Sequence, residues 1–329
     1  MEEHTNIIEV NGLVKTFDGI TAVDDVSFDV GAGELFGFLG PNGAGKTTTI
    51  NMLTGLARPD NGTIRIGGMD CSQKHRAAQH LIGVVPDESN LYPELTGFDN
   101  LCFCGALYGM AKQKRQNKAQ ELLKVFGLKE AADRKFGGYS KGMKRKLTIA
   151  AGIIHEPEIL FLDEPTTGLD VASARQLRQL ISDLHKNGTT IFLTTHYIEE
   201  AQRLCSRIAF IVSGRIVKID TVENLLQPFQ NRHVVQIACE NIENNIQRKL
   251  SESFPDMKFI FYQQNVIRIE ADKPILAGAV VRFLEEQGVE VSEARRIRPS
   301  LEDVFVEITG IEAVAMKQEK EKAGMGGKA

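Results

Sequence analysis

The chain has 329 residues, 42% of them hydrophobic, with 39 Lys and Arg against 43 Asp and Glu for a formal net charge of −4. That is enough chain for one large globular unit or two domains with their own cores. The mixed-sign, slightly acidic composition gives no basic field, so no nucleic-acid partner is expected. ILFL at 159–162 and IAFIV at 208–212 are the longest apolar runs. They fall far short of the ~20 residues of a membrane helix. The N-terminus, MEEHTN, is acidic and polar and does not read as a secretion signal. Five cysteines in no even framework read as reduced thiols.

In chain order, IIEVNGLVKTF and VSFDV alternate apolar and polar residues, and GTIRIGG follows the turn pair Asn61-Gly62. Antiparallel strands are therefore expected around a glycine-rich loop. ELFGFLG is a compact apolar run that ends at that loop, and TTINMLTGLA after it has helical character, giving the order strand, loop, helix. From Phe98 to Gly152 the pattern turns helical in LCFCGALYGMAKQ, KAQELLKVFGL and KGMKRKLTIAAGII, separated by glycines. This predicts a helical insertion over about residues 91–152. Cys102 and Cys104 lie two apart, do not share a helix face, and read as packed thiols rather than a metal pair. Then EILFLDEP, a helix over 171–186, TTIFLTTH, the helix YIEEAQRLC and the hairpin RIAFIVSGRIVKID restore alternating strand and helix. A first domain is expected over 5–226.

After QPFQN a new pattern begins. HVVQIACE reads as a strand, IENNIQRKLSESF as a helix, MKFIFYQ with NVIRIEA as a hairpin, LAGAVVRFLEEQG as a helix and VEVSEARRI as a strand. The order βαββαβ predicts a small ferredoxin-like α+β domain over 231–310, closed by the short helix SLEDVFVEITG. The charged, glycine-rich tail 311–329 has little to bury and is expected to be disordered.

Gly40 to Thr47 fits G-x-x-x-x-G-K-[ST], the phosphate-loop pattern of P-loop NTPases. Gly40, Asn42, Gly43 and Gly45 let backbone N–H groups turn in around phosphate oxygens, and the helix that follows adds its positive end. Lys46 is expected to neutralise the β- and γ-phosphates, Thr47 to offer a hydroxyl to Mg²⁺, and Thr48 to reach a further phosphate oxygen. The plain alternative, a glycine-rich turn without a ligand, is disfavoured by the strand before it and the helix after it. ILFLDEP supplies Asp163 as a Mg²⁺ ligand and Glu164 as the group that polarises the attacking water. Acids at strand ends also cap helices, but two of them after four apolar residues, in a chain with a phosphate loop, favour the catalytic reading. His196, ending IFLTTH, is a candidate for orienting that water or touching the γ-phosphate; alone it would read as a satisfied structural histidine.

With LGPNGAGKTTT, YSKGMKRKLTIAAGIIHEPEILFLDEPTTGLD and LTTHYIEEA in hand, essentially all of 5–226 resembles the nucleotide-binding domain of ATP-binding-cassette (ABC) transporters. YSKGM, LTTHYIEEA and the ending PSLEDVFVEITG bring it closer to the multidrug and ABC-2 type exporter ATPases. The resemblance implies that Phe17 stacks on adenine, that Ser140 and Gly142 form a signature element touching ATP held by the opposite subunit, and that Asp170 sits in the loop joining the two halves of a dimer. From the residues alone, Ser140 and Asp170 read equally well as helix caps, and Phe17 as core. Two departures stand out. Tyr139, Lys141 and Met143 replace the usual leucine, first glycine and glutamine of the signature, in which Ser140 and Gly142 survive, and Asp87 stands where the family carries glutamine. An ionised aspartate accepts but does not donate, so Asp87 is expected to keep a metal contact while changing how hydrolysis is linked to a partner.

One phosphate loop and one signature imply two chains per working unit, identical or closely related, closing head to tail around two ATP molecules. The resemblance further implies a separate transmembrane permease, a peripheral place on the cytoplasmic face of the membrane, ATP and Mg²⁺ as cofactors, and export as the work done. The C-terminal domain carries no catalytic cluster and reads as regulatory or dimer-supporting. The rival readings are a soluble ABC ATPase without a channel, such as one serving cofactor assembly, and an inert nucleotide-binding regulator in which Glu164 and His196 are idle.

Overall fold

The computed structural model describes residues 6–229, 232–242, 245–262, 265–297 and 300–311. Beyond Ile311, the tail expected to be disordered lies outside the described residues. The chain divides into two compact units, Met1–Thr221 with Ile308–Ala329, and Val222–Glu307.

The first unit runs β1 (Asn6–Phe17), β2 (Ile20–Gly31), β3 (Leu35–Leu39), α1 (Lys46–Leu53), β4 (Asn61–Ile66), β5 (Met69–Asp70), α2 (His75–Gln79), β6 (Ile82–Val85), α3 (Gly97–Leu107), α4 (Lys112–Val125), α5 (Lys141–Gly152), β7 (Ile159–Asp163), α6 (Val171–Lys186), β8 (Thr190–Thr195), α7 (Ile198–Leu204), β9 (Arg207–Val212) and β10 (Arg215–Thr221). β1 and β2 form a hairpin in which Phe17 pairs with Ile20 across Asp18 and Gly19, both at positive φ (46° and 82°), as a two-residue primed turn requires. With β4 and β5 they make an antiparallel sheet in the order β2-β1-β4-β5. Asn61-Gly62 is not a hairpin turn. It opens β4 opposite β1, and Gly62 at φ 94° sits where the register shifts between Asn11 and Val14. Positive-φ glycine suits a bulge as well as a turn, which is why the pair misleads.

The second sheet has the order β10-β9-β3-β8-β7-β6. Its strands are parallel except for the β9–β10 hairpin. β3, β7 and β8 are buried along their whole length, as parallel strands covered on both faces should be. Phe36 and Phe38 project from one face of β3, Phe192 is in register with both Phe36 on β3 and Phe161 on β7, and Phe28 reaches in from β2. Neighbouring rings in this cluster lie 5.5 to 5.7 Å apart between centroids. The cluster joins the antiparallel sheet to the parallel one. Because β7, β8 and β3 are adjacent and parallel, the segments that leave their C-terminal ends emerge on one edge, the usual ligand crevice of an open α/β sheet.

The second unit contains α8 (Val222–Leu226), β11 (His233–Glu240), α9 (Ile246–Ser253), β12 (Lys258–Tyr262), β13 (Val266–Ala271), α10 (Ala277–Glu286), β14 (Glu290–Ile297) and most of α11 (Leu301–Thr309). Its sheet, β12-β13-β11-β14, is antiparallel throughout, the split-βαβ topology expected from the order of elements. Val235, Ile237 and Cys239, alternate residues of β11, pack with Ile246, Leu250, Val280 and Leu284 of the two intervening helices. No helix among the described residues is long and apolar enough to cross a membrane.

Candidate functional site

The loop 40–45 joins the buried strand β3 to α1. A Cβ on Gly40 would lie 2.2 Å from the Ile211 carbonyl oxygen, and one on Gly45 would lie 2.4 Å from that of Ala22. Gly45 also holds φ at 101°. Both positions therefore require glycine for the loop to press against its neighbouring strands. Gly45 brings no side chain to cap α1, leaving the first-turn N–H groups directed at whatever occupies the loop. Lys46 opens the helix and is 5% exposed. Its Nζ donates to the carbonyls of Gly40 at 2.8 Å and Pro41 at 3.0 Å, and lies 3.3 Å from Glu164 Oε1.

β7 delivers the acids. Asp163 accepts from Thr47 Oγ1 at 2.9 Å on one carboxylate oxygen and from Thr194 Oγ1 on the other. Burial pushes its carboxyl above the usual range, against the lowering effect of those two hydroxyls, and the charges of Glu164 and Asp87 add to the rise. Glu164 is 6% exposed and holds φ at 48°. A left-handed glutamate costs about 1–3 kcal/mol and persists where the surroundings fix it, a common feature of functional sites. What fixes it is visible: its N–H donates to the Thr194 carbonyl at 3.1 Å, while Oε2 accepts from Thr167 Oγ1 at 3.1 Å and lies 2.7 Å from His196 Nδ1. His196, at the end of β8, is 3% exposed. Lys46, Glu164 and His196 thus form a contiguous buried series across three neighbouring strand ends.

Thr47 and Asp163 are hard oxygen donors already in contact, which suits Mg²⁺. Among the described residues no group of three or more His, Cys, Asp or Glu side chains converges to hold a metal alone. The donor set fits an ion carried by one carboxylate, one hydroxyl, substrate phosphates and water, which is the usual habit of Mg²⁺.

A second group gathers at the N-termini of α5 and α6. Ser140 caps α5, its Oγ accepting from Met143 N at 3.3 Å. Asp170 caps α6, accepting from Ser173 N at 2.9 Å and Ser173 Oγ at 2.7 Å, and these bonds hold its carboxyl below the usual range. A Cβ on Gly142 would lie 2.8 Å from Ser173 Oγ, so glycine at this position leaves room for the Asp170 cap. Lys141, one departure from the family pattern, places its ammonium against Gly168 of the TTGLD loop. Tyr139, another, is buried and donates its hydroxyl to the Ala131 carbonyl at 2.6 Å. Phe17 ends β1, is 48% exposed, and has Lys15 Nζ 5.2 Å from its ring centroid, so it is not core. The Asp87 side chain is exposed on the loop after β6. Asn42 and Thr48 are half-buried in the loop and in α1.

Three contributors were not legible beforehand. Thr194, fully buried, ties Asp163 to Glu164 by its hydroxyl and carbonyl. Glu200 is buried beneath the site, with Oε2 accepting from Thr195 Oγ1 at 3.0 Å. Arg145, buried in α5, donates to the main chain of both the β6 and β7 loops. Hydroxyls crowding the end of a buried strand, TTH, were the one available hint.

The family model described as ABC transporter matches residues 23–167. The daunorubicin/doxorubicin resistance ATP-binding protein of Streptomyces peucetius is 37% identical, over 93% of this chain and 93% of its own. The Nod factor export ATP-binding protein I of Paraburkholderia xenovorans (strain LB400) is 44% identical, over 72% of this chain and 75% of its own. Among solved structures, an ATP-binding cassette in a dimeric post-hydrolysis state bound to ADP and Pi superposes with a TM-score of 0.61 at 26% identity, covering 65% of this chain and 98% of that one. A phosphate loop, its acids and its histidine at three adjacent strand ends, together with relatives matched over most of their length, establish that the chain belongs to the ABC transporter family as an ATP-binding, ATP-hydrolysing chain of the exporter type.

Proposed function

We propose that two such chains, identical or closely related, close around two ATP molecules and drive a separate membrane permease that exports an organic compound. The observation that carries the catalytic part is the Glu164 carboxylate, held between Lys46 Nζ at 3.3 Å and His196 Nδ1 at 2.7 Å. The N–H groups of Gly43, Gly45 and α1, with Lys46 and Thr48, bind the β- and γ-phosphates. Thr47 and Asp163 hold Mg²⁺, with Asp87 reaching the same region; the ion would neutralise charge on the transferring phosphoryl group. Glu164 accepts the proton of a water attacking the γ-phosphorus as the bond to the β-phosphate oxygen breaks, releasing ADP and phosphate. His196 keeps that carboxylate aimed and faces the γ-phosphate. Phe17 offers an exposed ring to adenine.

Ser140, Gly142 and Asp170 serve the nucleotide of the opposite chain. Their capping bonds do not oppose this role, since a capped helix N-terminus still presents further N–H groups and its dipole. The permease reading rests on the exporter-type relatives and on the lack of a membrane-crossing helix among the described residues. It makes the chain a peripheral protein on the cytoplasmic face. The test is to trap tagged Glu164→Gln with ATP and Mg²⁺ in solubilised native membranes. Co-purification of a polytopic permease supports the reading, whereas recovery of soluble proteins alone would favour the channel-free ATPase.

A further inference from the structure

Arg145 lies in KGMKRK, a basic run that reads as a solvated helix face. Its neighbours stay half-buried near the surface: Lys144 Nζ sits 5.6 Å from the centroid of the Phe136 ring, and Lys146 Nζ donates to Gln176 Oε1 at 2.8 Å. Arg145 instead turns inward and is 7% exposed. Its Nε donates to the Pro165 carbonyl at 2.8 Å and Nη2 to the Asp163 carbonyl at 2.6 Å. On the other side Nη1 donates to the Asp87 carbonyl at 3.0 Å and to that of Pro86. All four acceptors are main-chain oxygens, at the last residue of β7 and in the two loops that leave β6 and β7. The planar guanidinium suits this task because its N–H groups diverge in one rigid fork, which an ammonium cannot copy. Burial lowers its pKa, while the charges of Asp87, Asp163, Glu200 and Glu164 favour the cation.

The two tied loops carry Asp87 and the pair Asp163–Glu164, which serve the chain's own nucleotide in the function proposed above. The tie itself rises from α5, whose first turn carries Ser140 and Gly142, assigned to the opposite chain's nucleotide. We propose that Arg145 is a positioning residue that couples the two ATP sites, moving the backbone of one site's acids with the helix that grips the other site's ATP. The inference rests on the two-ATP sandwich. The hydrogen bonds of Arg145 go to the ends of β6 and β7 and not to the loop 40–45, so nucleotide capture by a single chain is expected to survive its loss.

The test uses full-length wild type, Arg145→Lys and Arg145→Gln, measuring thermal unfolding, equilibrium binding of a fluorescent ATP analogue, and ATP turnover as a function of ATP concentration. The expected result is nucleotide affinity within about threefold of wild type, kcat lowered about tenfold or more, and a sigmoidal wild-type curve turned hyperbolic, with Lys no better than Gln at restoring it. Wild-type kcat and sigmoidicity in both variants would overturn the coupling. So would a joint collapse of unfolding temperature, affinity and kcat in both, because Arg145 would then serve the fold alone. A hyperbolic wild-type curve, with Glu164→Gln monomeric under ATP, would instead overturn the sandwich on which the proposal stands.

Discussion

Thr194→Val tests whether the site is held by specific hydroxyl contacts or merely by packing. The Thr194 side chain is fully buried, donates to Asp163 Oδ1, and receives a bond from Glu164 N at 3.2 Å. Valine has nearly the same shape, so little packing changes, but the Asp163 carboxylate loses one of its two hydroxyl donors. A bond to a charged acceptor is worth about 1.5–3 kcal/mol. Glu164 N keeps the Thr194 carbonyl at 3.1 Å, so the second bond adds little to the loss. Taking about 2 kcal/mol, and about 2–4 °C per kcal/mol for a unit of this size, the unfolding temperature should fall by about 4–8 °C. Because Asp163 is proposed to hold Mg²⁺, the same change should raise the Mg²⁺ concentration for half-maximal turnover by about 10-fold, the scale usual for groups that orient a metal ligand. Thermal unfolding and Mg²⁺ titrations of wild type, Thr194→Val and Thr194→Ser would measure both, with serine close to wild type. An unchanged unfolding temperature in the valine variant would refute the energetic argument, and an unchanged Mg²⁺ dependence would refute the role given to Asp163.

Glu164→Gln should bind ATP but lose about 10²–10⁴-fold in kcat, the range for removing a general base, as followed by phosphate release. Lys46→Ala should weaken nucleotide binding by about 100-fold or more in equilibrium titrations, since the buried cation proposed to meet the phosphates is lost. A fourth prediction concerns pH and lies away from the residues proposed as catalytic. His155 stacks on Tyr108 with ring centroids 3.5 Å apart, Nε2 lies 3.0 Å from the Ile82 carbonyl, and burial lowers its pKa from the ordinary 6.5. Below pH 6.5 the unfolded chain therefore binds a proton that the folded chain resists, and stability falls as pH drops toward the depressed value. Replacing His155 with Phe should flatten that part of the unfolding-temperature curve, and a slope identical to wild type would contradict it.

Elements whose chemistry dictates their residues were the readable ones. A phosphate loop needs glycines before a lysine and a hydroxyl, and strands buried on both faces read as apolar runs, so β3, α1 and β7 are legible in the sequence. β6 was missed because Gly83 interrupts a four-residue strand; a Cβ there would lie 2.1 Å from the Gly152 carbonyl oxygen, so the packing that defines the strand also removes its sequence signal. Asn61-Gly62 misled because bulges and turns use the same residues. Ser140 and Asp170 left capping and ligand roles open, and the capping bonds are present. Arg145 and Thr194 escaped notice for a different reason: their partners lie at least 18 and 30 residues away in sequence, and local pattern carries no record of such contacts.

The measurement that bears most directly on the central claim is the solution mass of purified Glu164→Gln with and without ATP and Mg²⁺, together with the nucleotide bound per chain. The account predicts a monomer that becomes a dimer on adding ATP, with one nucleotide per chain, and that returns to monomer in the Ser140→Arg background, where a bulky cation blocks the shared face. A species that stays monomeric with nucleotide bound would contradict the claim that this chain works as an ATP-closed pair.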